Sequence, residues 1–202
     1  MTAALNKLNR EIAACSLCAA HLPLGPRPVT VLRPTARILI IGQAPGTKVH
    51  ETGVPWNDPS GDRLRDWLQL DRETFYNSPH LAIMPMGFCY PGRAQTKAGQ
   101  RGGDNPPRPE CAPAWHERAR ALMPDVALTL LVGSYAQRHY LNQPKSRSMT
   151  QTVENYQEFL PDYWPLPHPS WRTTGWQKRN PWFEQIVLPA LQSRIRTEMQ
   201  GN

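Results

Sequence analysis

The sequence contains no run of ~18 apolar residues, so no membrane-spanning helix is expected. Its first residues lack the apolar core of a secretory signal, which leads to the expectation of a cytoplasmic protein with reduced thiols. There is no internal repeat. Cysteine is scarce: only Cys15, Cys18, Cys89 and Cys111 are present. In a reducing compartment, Cys-x-x-Cys with two further thiols is a metal-site pattern rather than a disulfide framework. Four thiolates suit either Zn²⁺ or an iron–sulfur cluster, and spacing alone does not choose between them. A redox pair with two buried structural thiols is the bland alternative.

What is abundant is proline (22 residues), tryptophan (7 residues) and positive charge, with a formal net charge of +7. So much proline implies long, ordered, irregular connections and argues against a helical bundle. The sequence pI near 9.5 favours a polyanionic partner, a weak signal by itself. The length suits one domain over 1–202. Apolar residues at helical spacing predict a helix over Thr2–Cys15. Short aliphatic runs predict strands over Arg37–Ile41, Leu81–Met86 and Val126–Val132, and Tyr163–Pro167 leads into a late loop. Helices are expected over Gly61–Leu70 with Ser60 as N-cap, Cys111–Met123, Gly133–Leu141 and Asn180–Arg196. Thr47–Pro59, Gly87–Pro109 and Pro144–Glu154 read as loops. Strands alternating with helices indicate an α/β fold: a three-layer αβα sandwich around a mostly parallel four-stranded sheet.

Two distant turns carry the chemistry. Ile38-Leu39-Ile40-Ile41 breaks at Gly42-Gln43-Ala44-Pro45-Gly46, a strand with a hard stop. In such sheets ligands bind beyond the carboxyl ends of the strands. His168-Pro169-Ser170-Trp171-Arg172 gathers an imidazole, a hydroxyl, an indole and a guanidinium in one loop. Together they resemble the water-activating loop and the His-Pro-Ser loop of the uracil-DNA glycosylase superfamily. Within it the chain is most similar to the iron–sulfur uracil-DNA glycosylases. Cys15/Cys18, Gly42–Gly46, Gly53-Val54-Pro55-Trp56, Cys89/Cys111 and His168-Pro169 follow that family's motif order.

The resemblance implies a structural [4Fe–4S] cluster on Cys15, Cys18, Cys89 and Cys111, with Zn as the alternative. It also implies a monomeric base-excision-repair hydrolase that flips uracil or another modified base out of DNA. Water would be the nucleophile, since no Lys stands in a Schiff-base position. His168 would stabilise the charge left on the departing base. Trp56 would stack on it beside Gln43, Ala44, Pro45 and Gly46. Ser170 would hold a phosphate, while Trp171 or Arg172 probes the space the base vacates. Arg172, Lys178 and Arg179 would contact phosphates, with Arg93, Lys97 and Arg101 around the pocket mouth.

The chain also departs from the family's pattern. Gln43 stands where the iron–sulfur family has Glu, so the first loop has no carboxylate. Pro85 stands where many members have the Asn that reads the base edge. Asp58 or His50 would then orient the water, and Asn57 would replace the base reader. A catalytically inactive DNA- or base-binding member of the fold is the competing reading.

Overall fold

The computed structural model describes residues 2–95 and 102–200; Lys97 and Arg101 lie outside the described residues. Four strands, β1 (Ile38–Ile41), β2 (Leu81–Ile83), β3 (Leu128–Val132) and β4 (Tyr163–Leu166), form one sheet in the order β2-β1-β3-β4. All three pairings are parallel, as the aliphatic runs require: both faces of a parallel sheet are covered, so neither can be polar. Side chains alternate between the two faces. Ile38, Ile40, Leu128, Leu130 and Val132 belong to one core, and Leu39, Ile41 and Leu131 to the other. Pro165 is tolerated because β4 is an edge strand.

Helix α1 (Thr2–Ala13) covers the second core with Leu5, Leu8 and Ile12. It is joined there by α5 (Cys111–Arg120) through Ala112, Trp115 and Ala119, and by α6 (Ser134–Tyr140) through Ala136. The first core is closed by Leu64, Trp67 and Leu68 of α3 (Pro59–Leu68) and by Phe75 of α4 (Arg72–Asn77). It is completed by Val153 of α7 (Met149–Glu154) and by Leu191 and Ile195 of α9 (Leu188–Gln200). The result is the αβα layering expected from the sequence. Among the described residues, no helix is long and apolar enough to cross a membrane.

Several local expectations are corrected. Thr47–Pro59 is not all loop: α2 (Thr47–Thr52) starts after Gly46 and stops at Gly53, whose φ of 70° is the left-handed stop that glycine permits. The cap of α3 is Asp58 and not Ser60. Its Oδ1 accepts the Gly61 N–H at 2.8 Å, with Pro59 in the first turn. Helix α4, capped by Asp71, was not expected, and α7 stands where Pro144–Glu154 reads as loop. A Ser148/Gln151 capping box starts α7. Helix α8 (Thr173–Arg179) follows the His168 loop directly. The closing helix begins with a wide π-type turn at Phe183–Val187 before α9. Each unforeseen helix has six or seven residues, too few to show a 3.6-residue period.

Candidate active site

The strand order doubles back beside β1, so the loops after β1 and β3 diverge at a switch point where α/β sheets bind ligands. A cavity of about 690 Å³ opens there. Its floor is the Gly42–Gly46 loop, with Gln43, Ala44 and Pro45 all in the wall. The floor is fixed by the chain after β2, since Met86 N–H donates to the Gly42 carbonyl at 2.8 Å and Gly87 N–H to that of Gln43 at 2.9 Å.

Trp56 forms a side wall. Its φ of 56° is left-handed, a strained state for a residue with a bulky side chain. Three neighbours hold it there. A Cβ on Gly61 would lie 1.7 Å from the Trp56 carbonyl oxygen, so only glycine permits that approach. Arg65, buried and ion-paired with Asp62, donates to the same carbonyl at 3.2 Å. The indole lies over Gly42, where a Cβ would meet Cζ2 at 2.7 Å.

His168 faces Trp56 across the cavity, with ring centroids 5.9 Å apart. Burial pulls its imidazole below the usual range, and the charge of Asp58 works against that shift. Burial therefore favours the neutral form of His168. Its loop is anchored: the His168 carbonyl accepts the Ser170 N–H at 2.8 Å, and Arg63 of α3 donates to the Ser170 carbonyl at 2.7 Å. Ser170, Trp171 and Arg172 line the cavity on this side, with Trp171 75% exposed and the Arg172 guanidinium 5.6 Å from its ring.

The sequence-predicted residues do not all converge. Asp58 lines the cavity, although one carboxylate oxygen caps α3. Asn57 is not in the wall; its side-chain oxygen accepts from Arg72 at 2.8 Å. His50 is not in the wall either. It lies 6.0 Å from the Tyr90 ring, its Nδ1 buried without a partner among the described residues. Lys178 and Arg179 sit exposed on the last turn of α8, outside the cavity. Pro85 does line it, and its carbonyl accepts from Nε2 of buried His116 at 3.1 Å. Sequence reasoning missed Arg63 as the anchor of the Ser170 loop, and Ser60 and Gly102-Gly103-Asp104 as cavity wall. Nothing short of the fold brings these segments to the mouth.

The four cysteines gather around a second, smaller cavity, roofed by Phe88 and Trp115. None of the four forms a disulfide. Burial pushes the Cys111 thiol up to about 12 and that of Cys89 up to about 11. Cys111 Sγ accepts the Phe88 N–H at 3.2 Å. Among the described residues, no three His, Cys, Asp or Glu side chains close on one metal ion.

A parallel αβα sheet with a ligand-sized cavity at its switch point, walled by an aromatic ring and an imidazole, defines an α/β protein whose site lies beyond the carboxyl ends of its strands. The sequence model described as Uracil DNA glycosylase superfamily matches residues 29–192, which include both motif loops. The chain belongs to the uracil-DNA glycosylase superfamily. Cys15 and Cys18 precede the matched span.

Proposed function

We propose that this protein is a monofunctional DNA glycosylase, hydrolysing the N-glycosidic bond of uracil or another modified base flipped from DNA. One observation carries the reading: the β1 loop and His168 of the β4 loop, far apart in sequence, wall one cavity with Trp56 between them. About 690 Å³ accommodates a nucleoside and lies within the usual range for small-molecule sites. The indole supplies a stacking face worth ~1–3 kcal/mol per base. As the C1′–N bond breaks, the electron pair leaves on the base. An imidazole N–H donating to a base carbonyl stabilises that charge through a hydrogen bond already in place before the bond breaks. Trp171 and Arg172, at the rim, are placed to enter the stack and to meet phosphate.

The four thiols fit a soft, cationic group. Gathered around one cavity, two are held in the neutral form by burial, and a bound iron centre removes that cost by stabilising thiolate. The Phe88 backbone N–H on Cys111 Sγ is the kind of donor that steadies a metal-bound thiolate. We assign Cys15, Cys18, Cys89 and Cys111 to a [4Fe–4S] cluster and the chain to the iron–sulfur branch, with zinc the alternative. A cluster spreads its ligands over four irons, so no three donors need meet at one ion. Its chemistry here is structural, tying the end of α1 to the start of α5.

A second reading rests on Gln43 and Pro85, both in the cavity wall without a carboxylate or a side-chain amide in the places where the family carries them: a base- or DNA-binding protein without turnover. Incubation with single- and double-stranded oligonucleotides carrying uracil, hypoxanthine, xanthine or hydroxymethyluracil, followed by alkali, separates the two. Scission at any of these bases supports the glycosylase. Binding without scission supports the second reading.

A further inference from the structure

A water attacking C1′ needs a base to take its proton, and the Gly42–Gly46 loop has no carboxylate or imidazole. Asp58 spends one carboxylate oxygen on the α3 cap. A different carboxylate reaches the site from the loop between Cys89 and Cys111. Asp104 lines the cavity, and its Oδ2 overhangs the floor: a Cβ built on Gly46 would lie 3.4 Å from it. The segment carrying it is braced. Ala94 N–H donates to the Gly103 carbonyl at 2.9 Å, and Asn105 N–H to that of Gly92 at 2.8 Å. The Asn105 side chain donates to the Pro91 carbonyl at 3.0 Å. The Gln43 amide donates to the Asn105 carbonyl at 3.1 Å. The Gln43 amide of the floor therefore clamps the loop that brings a carboxylate in.

We infer that Asp104 is the general base of this site, a role that rests on the glycosylase reading. Its carboxylate accepts a proton from the attacking water as the oxygen bonds to C1′. The C1′–N bond breaks and its electron pair departs on the base. The products are an abasic sugar bearing a C1′ hydroxyl and a base anion that solvent then protonates.

The electrostatics agree with the geometry. Asp104 is exposed toward the cavity mouth, and partial desolvation of its carboxyl still raises it above the usual range, the Arg93 cation lowering it and the Asp58 charge raising it further. Arg172 also lies close by, its guanidinium 3.5 Å from the point a Cβ on Gly103 would occupy. A base of raised pKa works only above that pKa, so the rate should rise with pH through an acid limb. Protonating His168 leaves a donor in place, so that titration does not produce the limb.

The test is single-turnover base release against pH for wild type and Asp104→Asn, on the base identified by the oligonucleotide panel. Affinity for an oligonucleotide with an uncleavable analogue of that nucleotide is measured alongside. Asp104→Asn should release base ~10²–10³-fold more slowly, lose the acid limb and keep its affinity. A rate within about threefold of wild type, or a slower rate with the acid limb intact, overturns the assignment and leaves the glycosylase reading standing. Wild-type protein that releases no base from any oligonucleotide overturns both.

Discussion

The Gly42→Ala variant tests whether the Trp56 indole is the wall against which a base is seated. The added Cβ would stand 2.7 Å from Cζ2, where ordinary contact begins near 3.4 Å, so the ring must move by about 0.7 Å. It cannot retreat along its backbone, because the left-handed φ of 56° is pinned through the Trp56 carbonyl by Arg65 and by the close approach of Gly61. The remaining direction is into the cavity, toward the His168 ring. Overpacking of this kind costs ~1–3 kcal/mol, equivalent to a fall in Tm of about 2–12 °C for a chain of this size. Misplacing a substrate-positioning group by ~1 Å costs ~10²-fold in rate. Gly42→Ala should therefore fold, lose a few degrees in a thermal melt and release base ~10²-fold more slowly in single turnover. Gly61→Ala is the contrasting variant. Its Cβ would meet a backbone oxygen at 1.7 Å, so the start of α3 must move and the protein should lose more than ~3 kcal/mol. Gly42→Ala with wild-type rate and melting temperature would show that the indole does not wall the base.

Three further outcomes are expected. His168→Ala should slow base release ~10²–10³-fold while leaving DNA affinity nearly unchanged, because affinity comes chiefly from phosphate contacts; a rate close to wild type in single turnover would remove His168 from the chemistry. DNA affinity, measured by fluorescence anisotropy, should fall as salt rises, by about one unit of log–log slope per phosphate contact, and Arg172→Ala should reduce that slope by about one. Burial pulls His116 from 6.5 to about 4, against the pull of its bond to the Pro85 carbonyl; since the folded pKa lies below the unfolded one, the unfolded chain binds the proton first. Stability should be complete above pH 6.5 and fall by about 3 kcal/mol as pH drops to 4, and urea titrations of His116→Gln should show a flatter pH dependence.

The layered fold was legible because its signals are local and strong. Ile38–Ile41 and Leu128–Val132 are aliphatic on both faces, which only a covered parallel strand explains. Residues at chain breaks, Gly42–Gly46 and His168-Pro169-Ser170, were legible for the same reason, and the structure brings them to one cavity. The misses have a common cause. Asn57 and Asp58 are adjacent in sequence and equally polar, yet the start of α3 directs one to Arg72 and the other into the cavity. Asp104 lies in a Gly/Pro-rich stretch without periodicity. Its place over Gly46 is set by hydrogen bonds to Gly92, Ala94 and Gln43, which are non-local contacts absent from any window of sequence.

The two cavities share one piece of chain. Cys89 and Cys111 border the smaller cavity, and the segment between them carries Arg93, Gly103 and Asp104 into the wall of the larger one. A group that cross-links the two cysteines fixes both ends of that segment and shortens the loop that must be ordered, which lowers its conformational cost only slowly with length but fixes its direction firmly. Loss of the group should therefore act at a distance, on the position of Asp104 more than on Trp56 or His168, which hang from β1, α3 and β4. Cys89→Ser and Cys111→Ser should lose bound iron, measured by colorimetric assay. In single turnover they should fall ~10-fold or more in rate, with the loss concentrated in the Asp104-dependent limb of the pH profile. The combination Cys89→Ser with Asp104→Asn should cost little more than Asp104→Asn alone, the non-additive result expected of residues acting through one another. Iron-free variants that keep both the wild-type rate and the acid limb would confine the thiols to holding α1 against α5, with no part in setting the catalytic wall.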